Sequence, residues 1–301
     1  MRATLRILSA LVVATGGLPL PAQNPTLEQR VTALERQVAE LRARLGITTP
    51  TPAAADLPVE LLGNVHVRHG FPGGRCTTLV KEFYVICHDP GRKVPEWVTY
   101  QVRREDLAVS AVDRTDDFRP DPDLTPGERS ELVDYRNSGY DRGHMAPAAD
   151  FKRSREAMSS TFLLSNMAPQ RPNLNRGIWA RLEDQVRQVA QSHGRIWVVT
   201  GALYLDANGR PAPPPDTIGP NRVAVPSHFY KVILCEHASG AHEMFAFLLP
   251  NQLTPVVGQP SGFLVSVDRI EAVAALDFFS ALPDDEENRL EALVASSWPI
   301  P

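Results

Sequence analysis

Apolar residues recur at intervals of four and three between Leu27 and Leu45, at Leu27, Val31, Leu34, Val38, Leu41 and Leu45. That spacing predicts a helix with a single apolar stripe. Asn24 and Pro25 suit an N-cap and a proline at the first helical position, and Gly46 suits the stop. Set out as heptads, Val31 and Val38 fall at a and Leu27, Leu34 and Leu41 at d, a combination that favours a parallel two-stranded coiled coil, with a trimer as the alternative. The stretch 48–58, rich in Thr, Pro and Ala, reads as an extended linker. The seam is therefore expected to meet another copy of the chain, making a homo-oligomer.

From Asn64 onward the pattern changes. Strand-like runs span Leu79–Cys87, Trp97–Val102, Ile196–Thr200, Val223–Cys235 and Met244–Leu249, with a helical stretch over Asn175–Ser192. This is an α+β order. Pro211–Pro215 reads as a surface loop and Asp284–Glu287 as an acidic helix start. At the other end, Arg2 and Arg6, the apolar stretch Leu5–Val13 and the small residues up to Ala22 follow the order of a secretory signal peptide cut after Ala22. A secreted or periplasmic protein is expected. A mitochondrial transit peptide is the alternative, since the segment has no acidic residue. No other apolar run approaches the ~18 residues of a membrane span. The expected organisation is a signal peptide over 1–22, a coiled-coil helix over 24–46, a linker over 47–63 and a catalytic domain over 64–301.

Composition narrows the picture without settling it. At 43% hydrophobic and 22% charged the chain is globular, and a formal net charge of -4 excludes a protein whose whole surface attracts polyanions. Only a local basic patch remains for such a partner, and Arg153, Arg155, Arg171, Arg176 and Arg181 crowd one part of the sequence. Cys76, Cys87 and Cys235 fit no zinc spacing, so a metal would be held by oxygen. In an exported protein Cys76 could pair with Cys87 while Cys235 stays buried, but the sequence leaves the pairing open.

Chemistry concentrates in Asp141-Arg142-Gly143-His144-Met145, then Phe162 to Gln170 with Asn166 inside it, then Asn173-Leu174-Asn175 running on to Trp179 and Glu183. Further along come Thr200 to Tyr204, Val225-Pro226-Ser227, Tyr230-Lys231-Val232 and Leu282-Pro283-Asp284. Together and in this order, over roughly residues 65–295, these resemble the DNA/RNA non-specific endonuclease family. The resemblance implies a ββα-metal nuclease fold, an antiparallel sheet with a metal-binding helix. It also implies a Mg²⁺-dependent endonuclease, with Mn²⁺ as the alternative ion, acting on DNA and RNA and leaving 5′-phosphate and 3′-hydroxyl ends.

Phosphodiester hydrolysis needs a deprotonated water, charge stabilisation at phosphorus and relief of charge on the leaving oxygen. His144 suits the first task, because an imidazole of ordinary pKa near ~6.5 is neutral at neutral pH; activity is then expected to fall on acidification through pH ~6–7. Asn175 matches the family's metal-ligand asparagine, and a neutral amide leaves Mg²⁺ most of its waters; the alternative is a helix N-cap. Glu183 lies about 12 Å beyond Asn175 along a straight helix, so the resemblance assigns it a metal-bound water rather than the metal itself. Arg187 is either its i,i+4 partner or a phosphate contact. Asn166 matches a family active-site asparagine able to hold water or a phosphate oxygen. Arg142 stabilises phosphate or buttresses the site, and Asp141 orients its surroundings. Trp179 is expected in the core. The family's upstream phosphate-binding arginine is not fixed, with Arg114 and Arg119 both in range. Two rival readings are a catalytically silent nucleic-acid-binding homologue and a phosphodiesterase acting on a different phosphate ester.

Overall fold

The computed structural model describes residues 61–296 and Trp298. The expected signal peptide and coiled-coil helix, and all of the linker before Leu61, lie outside the described residues.

Strands β1 (Thr77–Val80), β2 (Val85–Asp89), β3 (Val94–Arg103), β6 (Arg195–Leu203), β9 (His228–Glu236), β10 (His242–Pro250) and β11 (Leu264–Val265) form one sheet in the order β1-β2-β3-β6-β9-β10-β11. Every pairing is antiparallel. Two smaller antiparallel pairs join β4 (Asp141–His144) to β5 (Met167–Gln170) and β7 (Asp216–Ile218) to β8 (Val223–Val225). The helices are α1 (Arg104–Leu107), α2 (Leu132–Tyr135), α3 (Arg155–Ser160), α4 (Ala180–His193), α5 (Val267–Ala274) and α6 (Asp284–Glu291). None of the described helices is long and apolar enough to cross a membrane.

The central strands read as continuous apolar runs because both faces of the sheet are covered. Val98, Val198 and Ile233 point to a near face, where α4 lays down Leu182, Val186 and Val189 and the paired strands β4 and β5 bring Met145 and Met167. Their sequence neighbours Trp97, Val199 and Val232 point to a far face with Leu61, Val267, Ile270 and Leu290. Successive strand side chains alternate, so one strand feeds both cores.

Two expected strands divide. Leu79–Cys87 is the hairpin β1–β2, turning where the Lys81 amide donates to the Tyr84 carbonyl at 3.0 Å. Val223–Cys235 breaks at Pro226, which has no N–H for a ladder, so β8 pairs with β7 while β9 enters the large sheet. Cys76 and Cys87 form a disulfide, and Cys235 is free and buried on β9.

Candidate active site

The β4–β5 pair carries the Asp-Arg-Gly-His motif, with Asp141 opposite Gln170 and His144 opposite Met167. Alternation sends Arg142 and His144 to one side of β4 and Asp141 and Gly143 to the other. A Cβ on Gly143 would meet Gln170 Cβ at 2.6 Å, so this crossing of the two strands admits only glycine.

His144 is buried between Phe162, edge-on at 5.1 Å, and Phe118, tilted at 5.7 Å. The Arg142 guanidinium lies 3.9 Å from the centre of the Phe118 ring and that of Arg114 lies 4.8 Å from Phe162. Two stacked cations thus flank one imidazole. Burial first, then Arg114 and Arg142, lower the His144 pKa to about 3. This corrects the expectation of an ordinary value near 6.5: the ring is neutral over the whole working range. Its Nε2 is buried with no hydrogen-bond partner. Buried polar atoms are normally paired, so an orphan aimed into a cationic pocket marks a position for a missing ligand or water.

Asn166 lies directly behind the motif. Its Oδ1 accepts from Ala146 N, its Nδ2 donates to the carbonyls of Ala146 and Thr161, each at 2.9 Å, and its own carbonyl accepts from Met145 N. Fully buried, it pins the two residues that follow His144 and does not face solvent.

Asn175 sits in a widened, π-type turn, Leu174–Trp179, kinked where Gly177 takes φ -110 and ψ -114. The cap of this turn is Asn173, so the capping role weighed for Asn175 is not what the structure shows. The kink also breaks the straight axis on which the separation from Glu183 was reckoned. Such π-type irregularities concentrate at functional sites. Asn175 Nδ2 donates to Asp141 Oδ2 at 2.9 Å, and Arg176 grips the same carboxylate through Nε at 2.8 Å and a terminal nitrogen at 2.6 Å. With its nitrogen committed to Asp141, the amide offers its oxygen as the free ligand atom.

Glu183, in the first turn of α4, joins a buried charge network that the sequence did not display. Arg187 donates to Asp150 Oδ1 at 2.9 Å and pairs with Asp184, while Tyr100 donates to Asp150 Oδ2 at 3.2 Å. Arg187 thus pairs directly with Asp150 and Asp184, and Glu183 is a further charge that stabilises its cation. Lys231, fully buried on β9, donates to Thr200 Oγ1 at 2.6 Å and lies 5.0 Å from the Trp179 ring centre. Burial pushes the Glu183 carboxyl up and the Lys231 ammonium down, and each opposes the other's shift. Trp179 is buried, as expected. Asp150 and Lys231 were missed; the available signal was a lone Lys inside the apolar run Tyr230–Cys235, because an unpaired buried charge is too costly to keep. Among the expected surface arginines, Arg153 stands 3.7 Å from Asp106 and Arg176 is tied to Asp141.

Among the described residues, the His, Cys, Asp and Glu groups close enough to chelate an ion all lie away from this site. Here the chain offers one amide oxygen, with acidic groups behind it. That donor set suits a hard cation that keeps most of its waters, as Mg²⁺ does, and does not suit zinc.

A strand pair, a kinked helix entry and a buried histidine among arginines define a ββα-metal nuclease. The chain belongs to the DNA/RNA non-specific endonuclease family, whose model matches residues 62–285. It is 39% identical to mitochondrial endonuclease G of Homo sapiens over 214 residues, 70% of this chain and 72% of that protein. It is 36% identical to mitochondrial endonuclease G of Bos taurus over 81% of this chain and 86% of that protein. A chain in the crystal structure of the EndoG/EndoGI complex, which concerns the mechanism of EndoG inhibition, superposes with a TM-score of 0.69 at 36% identity, covering 77% of this chain and 96% of its own. These relatives correct the expectation of a secreted or periplasmic protein. They are mitochondrial nucleases and point to mitochondria, so the N-terminal segment loses its support as a secretory signal.

Proposed function

We propose that this nuclease is a Mg²⁺-dependent, sequence-non-specific endonuclease that hydrolyses phosphodiester bonds of DNA and RNA, leaving 5′-phosphate and 3′-hydroxyl ends. The observation that carries the reading is the buried, unpartnered His144 Nε2 set between Arg114 and Arg142. Nε2 of the neutral ring accepts a proton from the attacking water. The arginines receive the phosphate oxygens, and the phosphate charge offsets the cations that weaken the imidazole as a base. His144 therefore becomes a better base once substrate is bound. Asn175 would hold the metal through Oδ1, its amide oriented by Asp141. When bound, Mg²⁺ stabilises charge on the phosphate and the leaving oxygen. Glu183 acts through a water, Arg187 braces Asp150, and Asn166 positions the backbone beyond His144. Phosphate contacts position a nucleic acid without reading its bases, which fits cleavage without sequence preference. The test compares plasmid DNA, RNA and a small chromogenic diester, each with and without EDTA. Cleavage of both polymers that EDTA abolishes supports the reading, whereas turnover of the small diester alone assigns a different phosphate ester.

A further inference from the structure

The far face of the sheet, opposite the paired strands β4 and β5, carries its own group of metal-ligating side chains. Strand β9 ends at Glu236 and β10 begins at His242, and these two residues stand directly opposite each other in the antiparallel register. Directly paired residues share a face, and alternation from the far-face residues Leu234 and Met244 puts both side chains on that face. His69 reaches the same place from the segment before β1. Its ring stands edge-on to Trp197 at 4.1 Å and to His242 at 5.3 Å, and its carbonyl accepts from the Ala281 amide at 2.9 Å. One ligand atom from each of His69, Glu236 and His242 lies within 4.8 Å of the other two.

Both rings are arranged as metal-ligating imidazoles are. His69 is only 9% exposed, and its Nε2 is buried with no hydrogen-bond partner. Glu236 Oε2 stands 3.7 Å from that nitrogen, too far for a hydrogen bond. The two make no ion pair either, since burial and then His242 lower the His69 pKa to about 4 and the ring is neutral. The 3.7 Å spacing is instead near the ~3.4 Å that two donors keep on a tetrahedral zinc with bonds of ~2.0–2.1 Å. His242 Nδ1 lies 3.1 Å from Glu286 Oε1. A carboxylate accepts, so Nδ1 carries the proton and the other ring nitrogen keeps its lone pair. Metal-bound histidines are commonly tied back to a carboxylate in this way. Arg195 pairs at 3.6 Å with Oε1 of Glu236, which leaves Oε2 to face His69.

We propose that His69, Glu236 and His242 form a Zn²⁺ site, separate from the catalytic one, that ties the segment before β1 to the β9–β10 hairpin. Two imidazoles and one carboxylate suit zinc, with water in the fourth position, whereas Ca²⁺ and Mg²⁺ take oxygen ligands. Residues 69, 236 and 242 have no zinc spacing along the chain; the sheet register brings them together. The same hairpin helps to form a second group, His193, His237 and Glu243, on its near-face side. There Glu243 is 51% exposed and neither ring has a buried nitrogen lacking a partner, so that group serves as the control.

The test is calorimetric Zn²⁺ titration of the full chain, stripped with EDTA and then freed of it, alongside thermal unfolding with and without Zn²⁺. At free Zn²⁺ about a hundredfold above its Kd, Tm should rise by roughly 5–10 °C. The rise should persist in Asn175→Ala, which separates it from a cation at the catalytic site. His242→Gln should lose one bound ion and the increment that goes with it, whereas His237→Gln should keep both. Glu236→Gln gives the same readout as His242→Gln should that variant not fold. The site is overturned by a zinc increment that does not survive Asn175→Ala, by a His242→Gln or Glu236→Gln protein that keeps the full increment, or by a His237→Gln protein that loses it. An equal rise with Ca²⁺ overturns the assignment to zinc.

Discussion

His144 is buried among aromatic rings and cations, and that setting separates its two pH signatures. For stability, the unfolded ring takes a proton near its ordinary value of 6.5, while the folded ring resists protonation down to about 3. Between these values the unfolded state binds more protons, so this contribution is complete above pH 6.5 and is lost progressively as pH falls toward 3. His144→Gln should therefore flatten the acid side of the stability curve over that window, read by denaturant unfolding at a series of pH values; a curve parallel to wild type would mean that the ring is not held neutral. For activity, kcat/KM reports the free enzyme, so His144 should contribute no acid limb at pH 6–7. His144→Ala should lower turnover at least ~100-fold while nucleic-acid binding survives, and near-normal cleavage by the folded variant would remove the residue from the chemistry. The motif made His144 legible in the sequence. Its titration was not, because Phe118, Phe162 and Arg114 come from other segments.

At the scale of elements, the sequence showed the helix over Asn175–Ser192 but not its beginning. Apolar periodicity reports the face of a helix that packs on the core, and Leu182, Val186 and Val189 make that face plain. The π-type turn at Leu174–Trp179 depends on Gly177 and on the Asp141 carboxylate reaching across from β4, which no local pattern encodes. Likewise β4 and β5, four residues each, were visible only as motifs. The Asp141–Asn175 contact carries its own prediction. Asn175→Asp would set two carboxylates against each other at a 2.9 Å contact, so it should weaken activity and raise the magnesium needed, although aspartate is a common ligand for this ion. Exchanging both residues, Asp141→Asn with Asn175→Asp, restores a donor–acceptor pair and should recover part of the loss. Magnesium titrations of plasmid cleavage decide it: if the double variant is as poor as Asn175→Asp alone, Asp141 does not work by orienting position 175.

Across the whole molecule, the first described residue, Leu61, already packs in the far-face core, so a chain lacking residues 1–57 keeps every described residue of that core. We propose that the stripe from Leu27 to Leu45 joins copies of the chain. The truncation should then run as a monomer by light scattering, with turnover nearly unchanged, and a full-length protein that is already monomeric would end the coiled-coil proposal. The α+β class was legible from strand and helix patterns alone, whereas the strand order was not, since pairing partners lie far apart in the chain. That order has one more consequence. Arg103, the last residue of β3, faces Arg195, the first of β6, and the Arg104 amide donates to the Gly194 carbonyl at 2.9 Å, so residues 104–194 leave the sheet and return to it at the same point. Arg114, Arg142, His144, Asn166, Asn175, Glu183 and Arg187 all fall inside that excursion. The rest of the fold acts as a picture frame, lending Tyr100, Lys231 and Asn251 as outside braces to the proposed chemistry. A segment whose two ends meet is a natural cassette: transplanted into a related frame that keeps those three residues, it should carry its substrate preference with it.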